Sequence, residues 1–261
     1  MTKPELTVLK IGGNVVDDEK TLFCVLTDFA ALKGKKILVH GGGKIADMIC
    51  EKLNITPQKV EGRRLTDAPT LDVVTMVYAG LINKKIVARL QRLECNALGL
   101  TGADLNVLLA HKRAKGNIDY GFAGDIDSVN VKSLSALLKI ADTIVLAPIT
   151  HDGKGQLLNT NADTIATVTA IAMSKRYKTT LKFCFEKKGV LSDPTDDDSV
   201  IPTIQYEEYQ AYKASCAIYA GMIPKLDNAF GALQKGVGRV VICGPDGIQV
   251  SASSVGTRLV K

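Results

Sequence analysis

The sequence predicts an α/β sandwich built on a mainly parallel open sheet, and three observations carry that reading. Short aliphatic runs alternate with helical patterns along the 261 residues, two early runs end in glycine clusters, and no internal repeat, linker or low-complexity segment breaks the alternation. Strand, glycines and helix follow one another twice within roughly the first 50 residues, the pattern of parallel βαβ units.

The elements follow in order. Residues 6–11 (LTVLKI) read as a strand closed by Gly12 and Gly13. Over residues 19–32 the apolar positions Leu22, Val25, Leu26 and Phe29 share one helical face. Residues 36–39 (KILV) form a second strand ending at Gly41, Gly42 and Gly43, and residues 45–53 return to helical spacing. A long helix is predicted over 71–95, with Val74, Val77, Ile82, Ile86 and Leu90 as its seam. Residues 98–100 and 107–112 read as strands, and the glycine-rich stretch 116–124 as a hairpin or surface loop. Residues 134–141 are helical, 143–149 (TIVLAPI) one buried strand, and 162–175 a helix rich in Thr and Ala. The last block holds a strand at 180–185, an acidic turn at 193–198, helices at 206–212 and 225–233, and a strand at 237–243 (VGRVVIC). A boundary near residues 174–180 divides the chain into lobes 1–175 and 176–261 that share one sheet. Both glycine turns then fall at the carboxyl ends of strands, where open α/β sheets bind ligands.

Composition narrows the function. With 46% apolar and 23% charged residues the chain is a globular protein with a large core. No stretch approaches the ~20 uncharged apolar residues of a membrane helix, and the start, MTKPELTVLK, has no secretory pattern. The expectation is a soluble intracellular protein. The net charge of +6 is scattered, only 5% of residues are aromatic and Trp is absent, which leaves a nucleic-acid binder poorly supplied with stacking platforms. A small polyanion such as a nucleotide suits that charge better. The cysteines, Cys24, Cys50, Cys95, Cys184, Cys216 and Cys243, form no CxxC pair, and most read as small core residues of a reducing compartment, not as metal ligands.

Two segments point to anion chemistry. Lys10 precedes Gly12 and Gly13, which sets a cation beside backbone that a phosphate can approach closely. His40 opens a run of three glycines before a helix, whose successive amides at the positive helix end suit a carboxylate or phosphate. His40 itself reads as a hydrogen-bonded structural residue. Neither segment has the GxGxxG spacing of a dinucleotide site, and no GxxxxGK[ST] P-loop is present. The Asp196–Asp198 run reads as a solvated loop, and no metal-ligand set is assigned.

KIGGN at the start, HGGG about 30 residues on, GRRLTD (62–67), GFAGDIDSVN (121–130), LLNTNAD (157–163), GMIPK (221–225) and GTRL (256–259) together resemble the N-acetylglutamate kinases of the amino-acid kinase superfamily. The ordered set spans essentially the whole chain. The resemblance implies the amino-acid kinase fold, a three-layer αβα sandwich. It further implies ATP-dependent phosphorylation of the side-chain carboxylate of N-acetyl-L-glutamate in arginine biosynthesis, with Mg²⁺. Carried over residue by residue, Lys10 and Lys225 contact the transferring phosphoryl group and Asp163 holds both lysines. Gly42 and Gly43 flank the substrate carboxyl, Arg64 grips its α-carboxylate and Asn159 binds the substrate. Gly12, Gly13, Glu186, Gly189, Leu191 and Gly221 fall on the nucleotide side. Lys187 and Lys188, unusual after Glu186, either add contacts to ATP phosphates or coat the rim.

Read without the family, Asn159 and Asp163 are also ordinary helix caps, and Lys225 a solvated lysine at a helix start. Arg63, usually apolar in relatives, adds a second cation that would suit a dicarboxylic acyl group such as succinyl. Other readings are a carbamate kinase, a glutamate 5-kinase, an isopentenyl phosphate kinase, or a non-catalytic ligand sensor. The nine residues before Lys10 are too few for the N-terminal helix of arginine-inhibited relatives. The expectation is therefore a homodimer through the 71–95 region, without arginine feedback.

Overall fold

A computed structural model of the chain describes residues 2–60, 62–193, 195–215, 222–249 and 256–261. The first βαβ unit forms as predicted: strand β1 (Glu5–Ile11), a short helix α1 (Gly13–Asp17), helix α2 (Glu19–Ala31), strand β2 (Lys35–His40) and helix α3 (Gly43–Lys52). Asp18 caps α2 by accepting from the Thr21 amide at 2.7 Å. Its far end is closed by the buried Lys36 of β2, whose Nζ donates to Ala30 O and Leu32 O at 2.8 and 3.1 Å.

The middle of the chain departs from expectation in its details. A hairpin of β3 (Lys59–Val60) and β4 (Arg63–Arg64) precedes helix α4 (Ala68–Thr75), a π-helical segment (Met76–Ile82) and helix α5 (Asn83–Arg92). The predicted 71–95 helix is thus one rod with a widened central turn. Strands β5 (Ala97–Leu100), β6 (Leu108–Lys112) and β7 (Gly124–Val129), helix α6 (Val131–Ile140) and strand β8 (Thr143–Leu146) follow. The apolar run 143–149 is two strands: β8 stays in the main sheet, whereas β9 (Ile149–His151) joins a second one. Strand β10 (Leu157–Asn159) pairs antiparallel with β9 and leads into helix α7 (Ala162–Met173).

The last third supplies β11 (Lys178–Cys184), β12 (Thr203–Gln205), α8 (Tyr206–Ala214), α9 (Ile223–Gln234), β13 (Arg239–Cys243) and β14 (Thr257–Val260). The main sheet runs β12-β14-β13-β11-β1-β2-β8-β5 and is parallel except where β14 meets β13. Its central strands are buried on both faces, and alternation sorts their side chains into two cores. Leu6, Val8, Ile37, Val39, Leu181 and Phe183 face α6–α9, while Leu9, Ile11, Leu38 and Val145 face α2–α5. The result is the predicted three-layer αβα sandwich. From β1 the chain moves to β2 on one side and later returns to β11 on the other, which makes the carboxyl ends of β1, β2 and β11 a topological switch point.

His40 ends β2 with no solvent exposure, its Nδ1 2.8 Å from Gly41 O, and burial pushes its pKa down to about 4. The folded chain therefore keeps His40 neutral where the unfolded chain protonates it. Between pH 6.5 and about 4 the unfolded state binds the extra proton, so stability falls as pH falls through that window, by up to about 3 kcal/mol. Urea unfolding of wild type and His40→Gln across this range should show the wild-type slope flattened in the variant.

Candidate active site

The switch point is lined by two glycine turns held by the strands beside them. The Gly12 amide donates to Cys184 O at 3.0 Å and the Gly41 amide to Ile11 O at 3.1 Å. A Cβ on Gly41 would stand 3.3 Å from the Gly13 nitrogen, so the turns face each other at backbone distance. Helix α3 begins at Gly43 with no side-chain cap, leaving its first amides for an anion. Gly42 has φ +140°, and a Cβ there would overlap Ile82 Cδ1 from the π-helical segment.

Lys10 follows from strand parity. It shares the face of Leu6 and Val8, so its side chain turns toward α7 and pairs with Asp163 at 2.7 Å. Both side chains are largely buried, 11% and 17% exposed. Asp163 is not the cap of α7: Asn161 is, accepting from the Thr164 amide at 3.0 Å. This frees Asp163 for the lysine. Lys225, on the first turn of α9, lies with its Nζ 5.8 Å from the Phe185 ring centroid. Phe185 Cβ and Lys10 Nζ lie 3.7 and 3.9 Å from the point where a Gly12 Cβ would be. Lys10 thus borders the Gly12 turn and Lys225 lies over the Phe185 ring beside it, and Asp163 makes its ion pair with Lys10 and none with Lys225 among the described residues.

Arg64 is buried, with Nη1 2.7 Å from Asp47 Oδ1 and Nη2 donating to Gly43 O at 2.9 Å. Burial works against its charge, yet Tyr78 and Asp47 outweigh that and hold the guanidinium above its ordinary pKa. Lys59, the hairpin partner of Arg64, also pairs with Asp47. Asn159 is not a helix cap either: it ends β10 and its Nδ2 donates to Thr66 Oγ1 at 3.0 Å. Backbone bonds from Thr66 N to Tyr120 O, Phe122 N to Thr66 O and Asn159 N to Phe122 O knit the 62–67, 121–130 and 157–163 motifs into one wall. Between this wall and the glycine turns lies a cavity of about 220 Å³, lined by Gly41–Gly43, Arg63, Arg64, Tyr78, Arg113 and Asn159 among others.

The remaining assigned residues lie on the other side of the turns. Glu186 is exposed, beyond the end of β11. Gly189 packs under Thr257, where a Cβ would press on Thr257 Oγ1 and Val200 Cγ1 at 2.8 Å, and Leu191 bridges Val200. Lys187 and Lys188 pair with Asp197 and Asp198, so both lysines close the acidic loop. Gly221 and Cys216 lie outside the described residues. No cluster of three or more His, Cys, Asp or Glu side chains suited to a metal occurs among the described residues.

Asp47, Thr66, Tyr78 and Arg113 were not singled out by the sequence. Asp47 lies beside Glu51 at the edge of the apolar face of α3 and carried no signal of its own; all four become site residues only through chain crossings.

A cavity lined by the Gly41–Gly43 turn and by arginines, close to a buried lysine–aspartate pair at the switch point, suits a protein that handles anions. Residues 5–244 match the amino acid kinase family, and the chain belongs to it. It is 54% identical over 240 residues to the acetylglutamate kinase of Phocaeicola vulgatus, covering 92% of this chain and 93% of that one. The acetylglutamate kinase of Bacteroides fragilis is 53% identical, with 99% and 98% covered. Among solved structures, the N-acetylglutamate synthase of Neisseria gonorrhoeae complexed with coenzyme A and N-acetyl-glutamate superposes with a TM-score of 0.82 at 21% identity, over 98% of this chain. This chain spans 59% of the synthase, so that likeness is one of fold.

Gly42→Ala places a methyl group on Ile82 at a φ that disfavours any side chain. The expected result is a loss of about 2 kcal/mol or more in stability, read by chemical denaturation.

Proposed function

We propose that the chain is an acetylglutamate kinase: it transfers the γ-phosphoryl group of ATP to the side-chain carboxylate of N-acetyl-L-glutamate in arginine biosynthesis. The observation that carries this reading is the Lys10–Asp163 pair at the glycine turns, next to a cavity that holds Arg64 and Asn159. Its support from outside the site is the 52–54% identity to acetylglutamate kinases over nearly the full chain.

A carboxylate oxygen bonds to the γ-phosphorus, and the bond from that phosphorus to the bridging oxygen breaks, with ADP taking the electron pair. The nucleophile is already ionised at neutral pH, so no general base is needed. The obstacle is repulsion and alignment of two anions. Lys10 and Lys225 flank the turn over which the phosphoryl group passes, and Asp163 fixes Lys10 instead of taking a proton. Amides of the two turns face the developing charge, Arg64 holds the α-carboxylate, and Asn159 orients the acylated glutamate. When bound with the nucleotide, Mg²⁺ would offset phosphate charge, and it would rest on the phosphates, since no cluster of three or more His, Cys, Asp or Glu occurs among the described residues. Residues 1–175 would bind the acylated amino acid and residues 176–261 the nucleotide, the latter with Gly12, Gly13, Glu186, Gly189, Leu191 and Gly221 nearby.

Incubation with MgATP, N-acetyl-L-glutamate and hydroxylamine should accumulate the acyl hydroxamate; its absence would rule out N-acetyl-L-glutamate as the acceptor, and absence with every N-acylated glutamate would sink the kinase reading. Lys10→Met should lower kcat on the order of 10²–10³ while the fold, monitored by circular dichroism, persists.

We also infer a homodimer. Met76 and Leu81 leave the π-helical segment 57% and 41% exposed, apolar surface that a second copy would cover. Light scattering should give twice the chain mass; a monomer would overturn this. The described cysteines are unpaired, which fits the reducing cytoplasm.

A further inference from the structure

The cavity wall has two cationic poles, and an acylated glutamate as proposed above uses one. The first is Arg64, beside Gly43 and Asp47. The second lines the same cavity. Arg113 makes a two-point contact with Asp125, Nε to Oδ2 at 3.0 Å and Nη2 to Oδ1, and its guanidinium stands 5.3 Å from the Tyr120 ring centroid. Arg63 belongs to this pole: it lines the same cavity as Arg113, and the hydrogen bonds and charge of Arg113, with smaller contributions from the His111 and Arg63 charges, hold the Asp125 carboxyl below its ordinary pKa. Consecutive residues of a strand point to opposite sides, so the Arg63–Arg64 pair in β4 delivers one guanidinium to each pole.

Charge bookkeeping shows what is unanswered. Asp47 faces both Arg64 and Lys59, and Asp125 faces Arg113. Arg63 lines the cavity and is exposed, and its side chain makes no hydrogen bond or ion pair with any described residue. Two positive charges on this wall are therefore uncompensated. The α-carboxylate of the substrate answers one, while the carboxylate to be phosphorylated is directed away, toward Lys10 and the glycine amides. An acetyl group would end in a methyl before the second pole. A dicarboxylic acyl chain would end there in a carboxylate, the group that a guanidinium fork matches with two parallel hydrogen bonds.

Resting on the kinase reading, we infer that the second pole, Arg63 with Arg113, binds the terminal carboxylate of a dicarboxylic acyl group, so that N-succinyl-L-glutamate is the preferred phosphoryl acceptor. Arg63 is then a specificity-determining residue: it touches the acyl end of the substrate and none of the reacting atoms. The reaction is unchanged, with one phosphorus–oxygen bond formed to the side-chain carboxylate and one broken to ADP.

The test is steady-state kinetics of MgATP-dependent hydroxamate formation with N-acetyl- and N-succinyl-L-glutamate, on wild type, Arg63→Leu and Arg63→Lys. Arg63 is exposed, so both variants should fold. The expected result is a kcat/KM at least tenfold higher for the succinyl substrate. Arg63→Leu should shrink that ratio about tenfold, mainly through the succinyl KM, and Arg63→Lys should restore part of it. A ratio below tenfold in wild type, or one that Arg63→Leu leaves unchanged, overturns the inference. Turnover of the acetyl substrate alone defeats this inference and leaves the kinase reading standing; turnover of neither defeats both.

Discussion

An ammonium group sits almost out of solvent at the end of the central strand, and the rest of the site depends on keeping it there. Lys10 is tolerated in that position because Asp163 meets it at 2.7 Å; an unpaired charge so placed would shed its proton or pull the strand end into water. The pairing ties β1 to the first turn of α7, two elements more than 150 residues apart in sequence. That turn is available because Asn161 has taken over the capping of the helix. One cap residue thus decides whether the aspartate serves the backbone or the lysine.

The glycine turns exist for the same electrostatic reason. Two anions come together only where positive partial charge surrounds them, and backbone amides supply it without the bulk of side chains. The opposed turns reach that density because neither carries a Cβ, and Ile82 sits where any side chain on Gly42 would go. The widened turn of the Met76–Ile82 segment brings Ile82 and Tyr78 against the cavity, so a departure from regular helix is part of the wall.

Most of the fold was legible because buried parallel strands are continuous aliphatic runs and their covering helices are amphipathic. What escaped were short strands of mixed polarity. GDIDSV in β7 and LLN in β10 lack an apolar run, and β12 and β14 have only three and four residues. The 143–149 run misled in the opposite sense: it is apolar throughout, and nothing in its composition marks the change of sheet after Leu146. Asn159 and Asp163 each had a local meaning, as caps, that the structure replaced with a long-range one.

By itself the sequence determined the layers, the glycine turns and the residue types that meet an anion. These depend on periodicity and on the conformational freedom of glycine, which are local properties of the chain. Tertiary structure alone decided which charges answer which. Asp163 faces Lys10 and not Lys225, Asp47 serves Arg64 and Lys59 together, and Arg63 lines the cavity with Arg113 without an ion pair of its own among the described residues. Coulomb energy depends on distances of a few ångströms, and those distances are set by how strands and helices far apart in sequence pack around one sheet.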